Sequence, residues 1–271
     1  MIDQSASINR PKWRLNRFMS GETARRYGLA ILAHVVVIAA WYFFVTYGHV
    51  PSFIMPSPVA TVATLGGAHY NWIENTLVTA SEIFGGYIIA VIVGVMIATI
   101  ISWSSTAEAA VMPLLVSLNM IPKVALGPLF IVWLSYGIFP NTIIAFSISF
   151  FPILLNTARG FREVEPELLE LVRSIRSSRW QTFIKIQLPS ALPYIFSGMK
   201  VGAILAVAGA IVGEFLGSAR GLGYLMLQVQ VTLDTAAMFM AVILITLIGV
   251  VLYLAVLGLE RLVIVRDARI Q

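Results

Sequence analysis

Several stretches of about 20 residues in this 271-residue chain contain almost no charged side chain. That is the length at which an α-helix crosses the hydrocarbon core of a bilayer. Charged residues make up only 11% of the chain, against about 25% in a typical soluble domain. The apolar runs are continuous and do not alternate, which favours helices over a β-barrel. We therefore expect an all-α polytopic membrane protein.

Six apolar segments predict about six transmembrane helices, at residues 28–47, 76–103, 107–136, 141–158, 192–213 and 236–259. The third segment contains Pro113, Pro122 and Pro128, so we expect a broken helix that crosses the membrane once. Broken helices occur at membrane depth where they are packed in protein or line a cavity. The prolines therefore indicate either a translocation path or a packed kink.

The distribution of Lys and Arg predicts the orientation of these helices. Residues 1–27 and 159–190 contain six basic side chains each, whereas residues 48–75 contain none. Basic segments stay in the cytoplasm, so an even number of spans should separate the first two and both termini should be cytoplasmic. We expect a cytoplasmic N-terminal segment (1–27), one transmembrane domain (28–262) and a cytoplasmic tail (263–271). No cleavable signal peptide is expected, because the first apolar run follows a long polar lead.

The charged segment 159–190 predicts a helix–turn–helix at the membrane surface. Glu165-Pro166 is typical of a helix start, and an apolar face follows at Leu168, Leu171, Val172 and Ile175. Ser178 and Gln181 match a capping box that starts a second helix, which Pro189 is expected to end. Such an element either rests on anionic lipid or docks on a protein.

The spacing of this segment resembles the cytoplasmic loop of permease subunits of bacterial ABC importers. That loop reads E-A-A, three residues, Gly, nine residues and I-x-L-P. Here Glu170-Leu171-Val172 stands first, Arg176 occupies the glycine position, and Ile186-Gln187-Leu188-Pro189 follows nine residues later. Arg176 departs from the family pattern. Glycine adopts a positive φ at little cost, whereas arginine in the same conformation would lose about 1 kcal/mol.

Four further stretches resemble the nitrate, taurine and sulfonate branch of these importers, which includes importers of thiamine-precursor pyrimidines and riboflavin. They read "MPSPVATVATL" at 55–65, "MIPKVALGPLFIVWLSYG" at 120–137, "LPSALPYIFSGMKVG" at 188–202 and "GAIVGEFLGSARGLGYLM" at 209–226. The resemblance covers about residues 50–260. It implies the type I ABC importer permease fold in a bacterial cytoplasmic (inner) membrane.

The resemblance also implies partners and a division of labour. Two permease copies, expected as a homodimer in the lipid bilayer, would face each other around a path, and each would dock its loop on one of two ATPase subunits. An extracytoplasmic solute-binding protein would deliver the solute, expected to be a small organic anion (sulfonate-, taurine- or nitrate-like) or an aromatic vitamin precursor (pyrimidine- or riboflavin-like). The coupling residues would be Glu170, Leu171, Val172, Arg173, Arg176, Ser178, Arg179, Ile186, Leu188 and Pro189.

The chain is not expected to be an enzyme. It contains no G-x-x-x-x-G-K-[ST] motif, so ATP and Mg²⁺ should be bound by the partner ATPase and no cofactor by this chain. It has no cysteine, and its three histidines are too scattered to suggest a metal site. The net charge of +5 is explained by cytoplasmic loops, and no nucleic-acid partner is expected. An ion-coupled secondary transporter is the alternative, but no inverted repeat supports it.

Ionisable groups in apolar segments are costly and often functional. Pro122, Lys123, Lys200 and Glu214 are therefore the candidate path residues. Glu214 could also brace the glycine-rich turn at 217–223, whereas Glu82 is expected to reach outward. Glycines in the second and fifth spans, including Gly198-x-x-x-Gly202, predict close helix packing, with a homodimer seam as one alternative.

Overall fold

The computed structural model describes residues 21–264, and that range contains helices and no strand. It divides into two units, 1–51 and 52–271, and the described part of the first unit contains helix α1. The helices are α1 (Gly21–Tyr47), α2 (Pro58–Ala63), α3 (Trp72–Ser102), α4 (Ser105–Asn119), α5 (Gly127–Leu134), α6 (Ile138–Arg162), α7 (Pro166–Ser174), α8 (Arg179–Thr182), α9 (Leu188–Gly217), α10 (Leu222–Val231) and α11 (Thr235–Val263).

Five helical stretches within this range are long and apolar enough to cross a membrane: Gly28–Tyr47, Ala68–Ser102, Ile138–Arg162, Arg179–Gly217 and Thr235–Val263. A sixth span would consist of α4 and α5 together, with a bend of 74° between Asn119 and Lys123. The predicted break is confirmed. It lies at residues 120–122, whereas Pro113 is inside α4 and Pro128 is in the first turn of α5, where no N–H is needed.

The core of the second unit is built around α6, which packs between α3 and α9 through small residues. A Cβ added at Gly86 of α3 would lie 2.7 Å from Ala145 Cβ, and one at Gly209 of α9 would lie 2.7 Å from Ala145 Cα. The predicted close packing is thus confirmed. Ala145 and the neighbouring Ser149 are completely buried, so the three helices approach backbone to backbone.

The Gly198-x-x-x-Gly202 motif is used within the chain. A Cβ at Gly198 would lie 2.9 Å from Asn156 Cβ, and one at Gly202 would lie 2.7 Å from the Ile153 side chain, both on α6. The motif therefore seats a helix of the same subunit. This corrects the alternative that it forms a seam with a second copy.

The helix that begins at Arg179 does not end at Pro189. It continues from α8 through a π-helical turn, Phe183–Gln187, into α9, and the Leu188 N–H donates to Phe183 O five residues back. The expectation that Pro189 ends the helix was wrong because a π turn changes the hydrogen-bond pattern where proline supplies no donor. The surface helix and the membrane span are therefore one continuous element.

A short helix, α10, occupies part of what the sequence indicated only as a connection between the last two spans. Its ten residues are too few to cross a bilayer. Gly221 precedes it with φ 115°, and Leu222, its first residue, is completely buried. A glycine followed by the apolar run Leu222–Val231 was the signal that could have predicted it.

Candidate coupling surface and path residues

The predicted helix–turn–helix is confirmed in residues 159–190, which we call the coupling loop. Pro166 is the first residue of α7. Ser178 Oγ accepts a hydrogen bond from Gln181 N at 3.2 Å, and Gln181 Oε1 accepts one from Ser178 N at 3.1 Å. This reciprocal pair is the capping box that the sequence predicted, and it fixes where α8 begins.

Arg176 holds the position at which the family pattern has glycine, and its backbone has φ 56°. The Ser177 N–H donates to Val172 O at 3.0 Å. This six-to-one bond over a left-handed residue is the Schellman geometry that normally ends a helix with glycine. The turn therefore keeps the glycine conformation although an arginine occupies it.

Arg176→Gly is expected to stabilise the protein by about 1 kcal/mol, because it removes the Cβ strain of a left-handed residue. Thermal unfolding of the purified protein in mild detergent measures the gain. Arg179→Gly is the matched control: Arg179 is helical, so the same replacement there should destabilise. Equal effects at the two positions would contradict the assignment of strain to Arg176.

An aromatic cluster attaches the coupling loop to the rest of the second unit. The Phe183 ring lies 5.3 Å from Trp103 at the end of α3, 5.6 Å from Phe161 of α6 and 6.0 Å from Trp180. Ring pairs at these distances stabilise by about 0.5–1.5 kcal/mol each beyond the area that they bury. A cavity of about 550 Å³ adjoins this cluster, between Trp103 and α7.

Beside this cluster, the coupling loop has an exposed face of mixed character, and Trp180 belongs to both. Leu171, Ile175 and Trp180 are 59%, 70% and 60% exposed, and charged side chains surround them. Of the predicted coupling residues, Glu170, Leu171, Arg176, Ser178, Arg179 and Pro189 are exposed, whereas Val172, Ile186 and Leu188 are half-buried. The side chain of Arg173 lies outside the described part of the chain.

Lys123 lies at the bend between α4 and α5, directly after the exposed Pro122. Its Nζ donates to Asn119 O at 2.5 Å and to Asn119 Oδ1 at 2.7 Å. It also lies 4.6 Å from the centroid of the Phe151 ring, which is within the range of a cation–π contact. The half-buried ammonium group is thus held by neutral partners.

Lys200 of α9 forms an ion pair with Glu260 of α11. Its Nζ is 3.0 Å and 3.2 Å from the two carboxylate oxygens, and both side chains are largely buried. Sequence reasoning singled out Lys200 and missed Glu260. The signal was a carboxylate directly after the sixth apolar segment, but the pairing of two residues 60 positions apart could not be predicted from the sequence.

Glu214 is buried near the end of α9 and holds the start of α10. Its carboxylate accepts from the Gly223 N–H, from Tyr224 N at 3.3 Å and from Thr79 Oγ1 at 2.5 Å. The predicted bracing of the glycine-rich turn is confirmed. Glu82, by contrast, does not reach outward: it is completely buried and accepts from Asn141 Nδ2 at 2.9 Å. The expectation was wrong because a buried amide was available to solvate the carboxyl.

The four predicted path residues are not brought together into one cluster. Pro122 and Lys123 lie at the bend after α4. Lys200 lies in the first half of α9 and faces α11, and Glu214 lies near the C-terminal end of α9. Each is held by its own neighbours. Their role in a path stays a prediction.

Comparison with known proteins gives the family. Residues 90–265 match the family described as binding-protein-dependent transport system inner membrane component. The match covers more than half of the chain, so the chain belongs to this family. It is a multi-pass inner-membrane permease subunit of an ABC importer, and the secondary-transporter alternative is set aside.

Individual relatives support the same class. The chain is 30% identical to a formylaminopyrimidine transport permease protein of Halalkalibacterium halodurans, over 78% of this chain and 85% of that protein. It is 33% identical to a riboflavin transport system permease protein of Chloroflexus aurantiacus, over 85% and 87%. The structure of an inward-facing MetNI methionine ABC transporter matches 68% of this chain and 94% of its own, at 20% identity and a TM-score of 0.53. That likeness shows the type I permease fold.

Proposed function

We propose that this chain forms the translocation path for a small solute and takes its energy from a separate ATPase that docks on the coupling loop. The observation that carries the proposal is the exposed face of that loop, with Leu171, Ile175 and Trp180 uncovered beside Glu170. Apolar and aromatic side chains exposed together with charges are typical of protein interfaces. ATP and Mg²⁺ would be bound by the partner.

The geometry supports a mechanical mechanism. ATP binding would draw two ATPases together and move the docked loops. Because α8 continues into α9 without a break, and only three residues separate α6 from α7, a displaced loop would carry both spans with it. The path would then open alternately to the two sides of the membrane by rigid-body movement of the helices.

The assembly would contain two permease copies as a homodimer, two ATPase subunits and an extracytoplasmic solute-binding protein. In the proposed organisation, the transmembrane domain is residues 28–262, and the segments before and after it, 1–27 and 263–271, are cytoplasmic. Positive charge in 1–27 and 159–190 supports cytoplasmic termini. Residues 1–20 and 265–271 lie outside the described residues.

An aromatic vitamin precursor is the solute that we would test first. The names of the two relatives, for formylaminopyrimidine and riboflavin transport, support this choice. Lys123 supports it as well, because an ammonium group beside the Phe151 ring suits a carbonyl-bearing aromatic solute. A small organic anion such as a sulfonate would use the same ammonium group and is the second candidate. Pro122, Lys200 and Glu214 are the other proposed path residues.

Co-purification from the native host tests the docking. A P-loop ATPase is expected with the tagged wild type, and Glu170→Arg should reduce its recovery at least tenfold, since a charge reversal in an interface costs more than about 1.4 kcal/mol. Glu167→Arg is the matched control on the same helix, outside the family pattern, and should retain the ATPase.

Two outcomes would contradict the proposal. If no ATPase appears with the wild type under conditions that preserve known transporter complexes, the importer assembly is rejected. If both variants retain it equally, docking through Glu170 is rejected. A solute-binding protein that co-purifies can then be titrated with pyrimidines, flavins and sulfonates, and tight binding of none of them would reject both solute classes.

A further inference from the structure

Two acidic side chains meet inside the second unit. Glu82 of α3 is completely buried and Glu214 of α9 is 1% exposed. Glu214 accepts a hydrogen bond from Thr79, which lies one turn before Glu82 on the same side of α3, so the two carboxyl groups are neighbours. We call them the carboxyl pair. The helices that surround the pair contribute Asn75 and Thr79 from α3 and Asn141 from α6, besides the backbone at the start of α10.

The two carboxyl groups have unequal sets of donors. Glu214 accepts from the Thr79 hydroxyl and from two backbone N–H groups, of Gly223 and Tyr224. Glu82 accepts only from Asn141 Nδ2, and its Oε2 atom is buried with no donor from any described residue. Three donors stabilise a negative charge far better than one.

Two neighbouring carboxyl groups in a buried site do not both ionise readily, because each negative charge destabilises the other. A nearby cation could offset that repulsion, but the ion pairs found among the described residues involve neither Glu82 nor Glu214. One proton must therefore stay in the pair. The oxygen that lacks a donor, Glu82 Oε2, is the place for it.

We propose that Glu82 is a proton-binding site: its carboxyl group is protonated and donates a hydrogen bond to the Glu214 carboxylate. The proton removes the repulsion between the two groups. It also satisfies the otherwise orphaned Oε2 of Glu82. Glu82 is thus a positioning residue that acts through Glu214.

What the pair positions is the N-terminus of α10. The first N–H groups of a helix have no partner within it. Here the Gly221 and Leu222 N–H groups donate to Asn75 Oδ1 and Thr79 Oγ1, each at 2.8 Å, and the next two donate to Glu214. Side chains of α3 and α9 therefore cap a third helix, and its dipole favours the charge on Glu214.

Two glycines make this approach possible. A Cβ at Gly221 would collide with the Glu214 carboxyl group, and one at Gly223 would lie 2.8 Å from its Oε2. Gly221 also has φ 115°. The turn is therefore shaped around a carboxylate, which agrees with Glu214 as the charged member of the pair.

Paired amide variants test the assignment. Glu82→Gln replaces the protonated carboxyl group, a neutral hydrogen-bond donor, by a neutral amide donor. The yield of folded protein and the temperature of thermal unfolding should therefore stay close to those of the wild type. Glu214→Gln puts an amide where two N–H groups need an acceptor, and should reduce the yield of folded protein at least tenfold. Infrared spectra of the purified full chain should contain the C=O band of a buried protonated carboxylic acid, and Glu82→Gln should remove it.

Each other outcome overturns the proposal. A wild type without that band has no protonated Glu82, and a band that persists in Glu82→Gln belongs to another group. Equal loss of folded protein in both amide variants would show two charged carboxyl groups. The spectrum needs neither solute nor ATPase, so its result is independent of the proposed transport function. It also decides the question if Glu214→Gln does not fold.

Discussion

Gly209→Val is expected to abolish the accumulation of folded protein in the membrane. A Cβ at Gly209 would lie 2.7 Å from Ala145 Cα, 3.2 Å from Ala145 N and 3.2 Å from Ile144 O. These are backbone atoms of α6, which cannot move aside as a flexible side chain can. Valine adds two more methyl groups, so the cost should exceed the about 3 kcal/mol of ordinary overpacking. The yield of monodisperse protein in mild detergent measures the effect.

Gly258→Val is the matched control. Gly258 lies in the apolar helix α11, and apart from the neighbouring backbone of that helix no atom of a described residue lies within 4 Å of a Cβ built there. The same substitution should therefore leave the yield near that of the wild type. If both valine variants accumulate equally, close contact between α6 and α9 is not what holds the core together.

Phe183→Ala is expected to reduce solute transport about thirtyfold while the ATPase stays bound. Phe183 is the ring that joins Trp103, Phe161 and Trp180, and it lies in the π turn between α8 and α9. Removing a half-buried phenylalanine costs about 2 kcal/mol, which corresponds to a factor of about 30 in the population of the attached loop. Uptake into proteoliposomes containing the complete transporter measures the loss.

The change removes the ring on which Trp180 stacks but leaves Glu170 and the exposed Leu171 and Ile175 in place, so co-purification of the ATPase should persist. Phe43→Ala is the control, because that side chain is 54% exposed on α1. It should leave transport unchanged. Transport at the wild-type rate in Phe183→Ala would show that the aromatic cluster does not transmit movement.

Local patterns predicted much of the fold. Apolar runs indicated the spans, and the ends of α3, α6, α9 and α11 lie within four residues of the expected limits. The capping box was also predicted, because its two members, Ser178 and Gln181, are only three residues apart in the sequence. The continuation of the helix past Pro189 was not, since a π turn depends on packing that no short pattern contains.

In the candidate sites, too, local features could be predicted from the sequence and contacts between distant segments could not. The loop motif was readable because the spacing of its residues is local, and Arg176 showed the positive φ expected of the glycine position. Contacts between distant segments were not readable: Asn141 and Glu82 are 59 residues apart, and Thr79 and Glu214 are 135 apart. Burial by such partners decides what an acidic side chain does in a membrane.

The unbroken helix from Arg179 to Gly217 constrains how this chain can evolve. It carries Trp180 near one end and Glu214 near the other, about 50 Å apart at 1.5 Å per residue. Inserting or deleting one residue between them would turn one end by about 100° relative to the other, moving either the aromatic ring or the carboxylate off its partners. The number of residues in this helix is therefore under selection together with their identity, and natural length variation should be confined to the loops on either side.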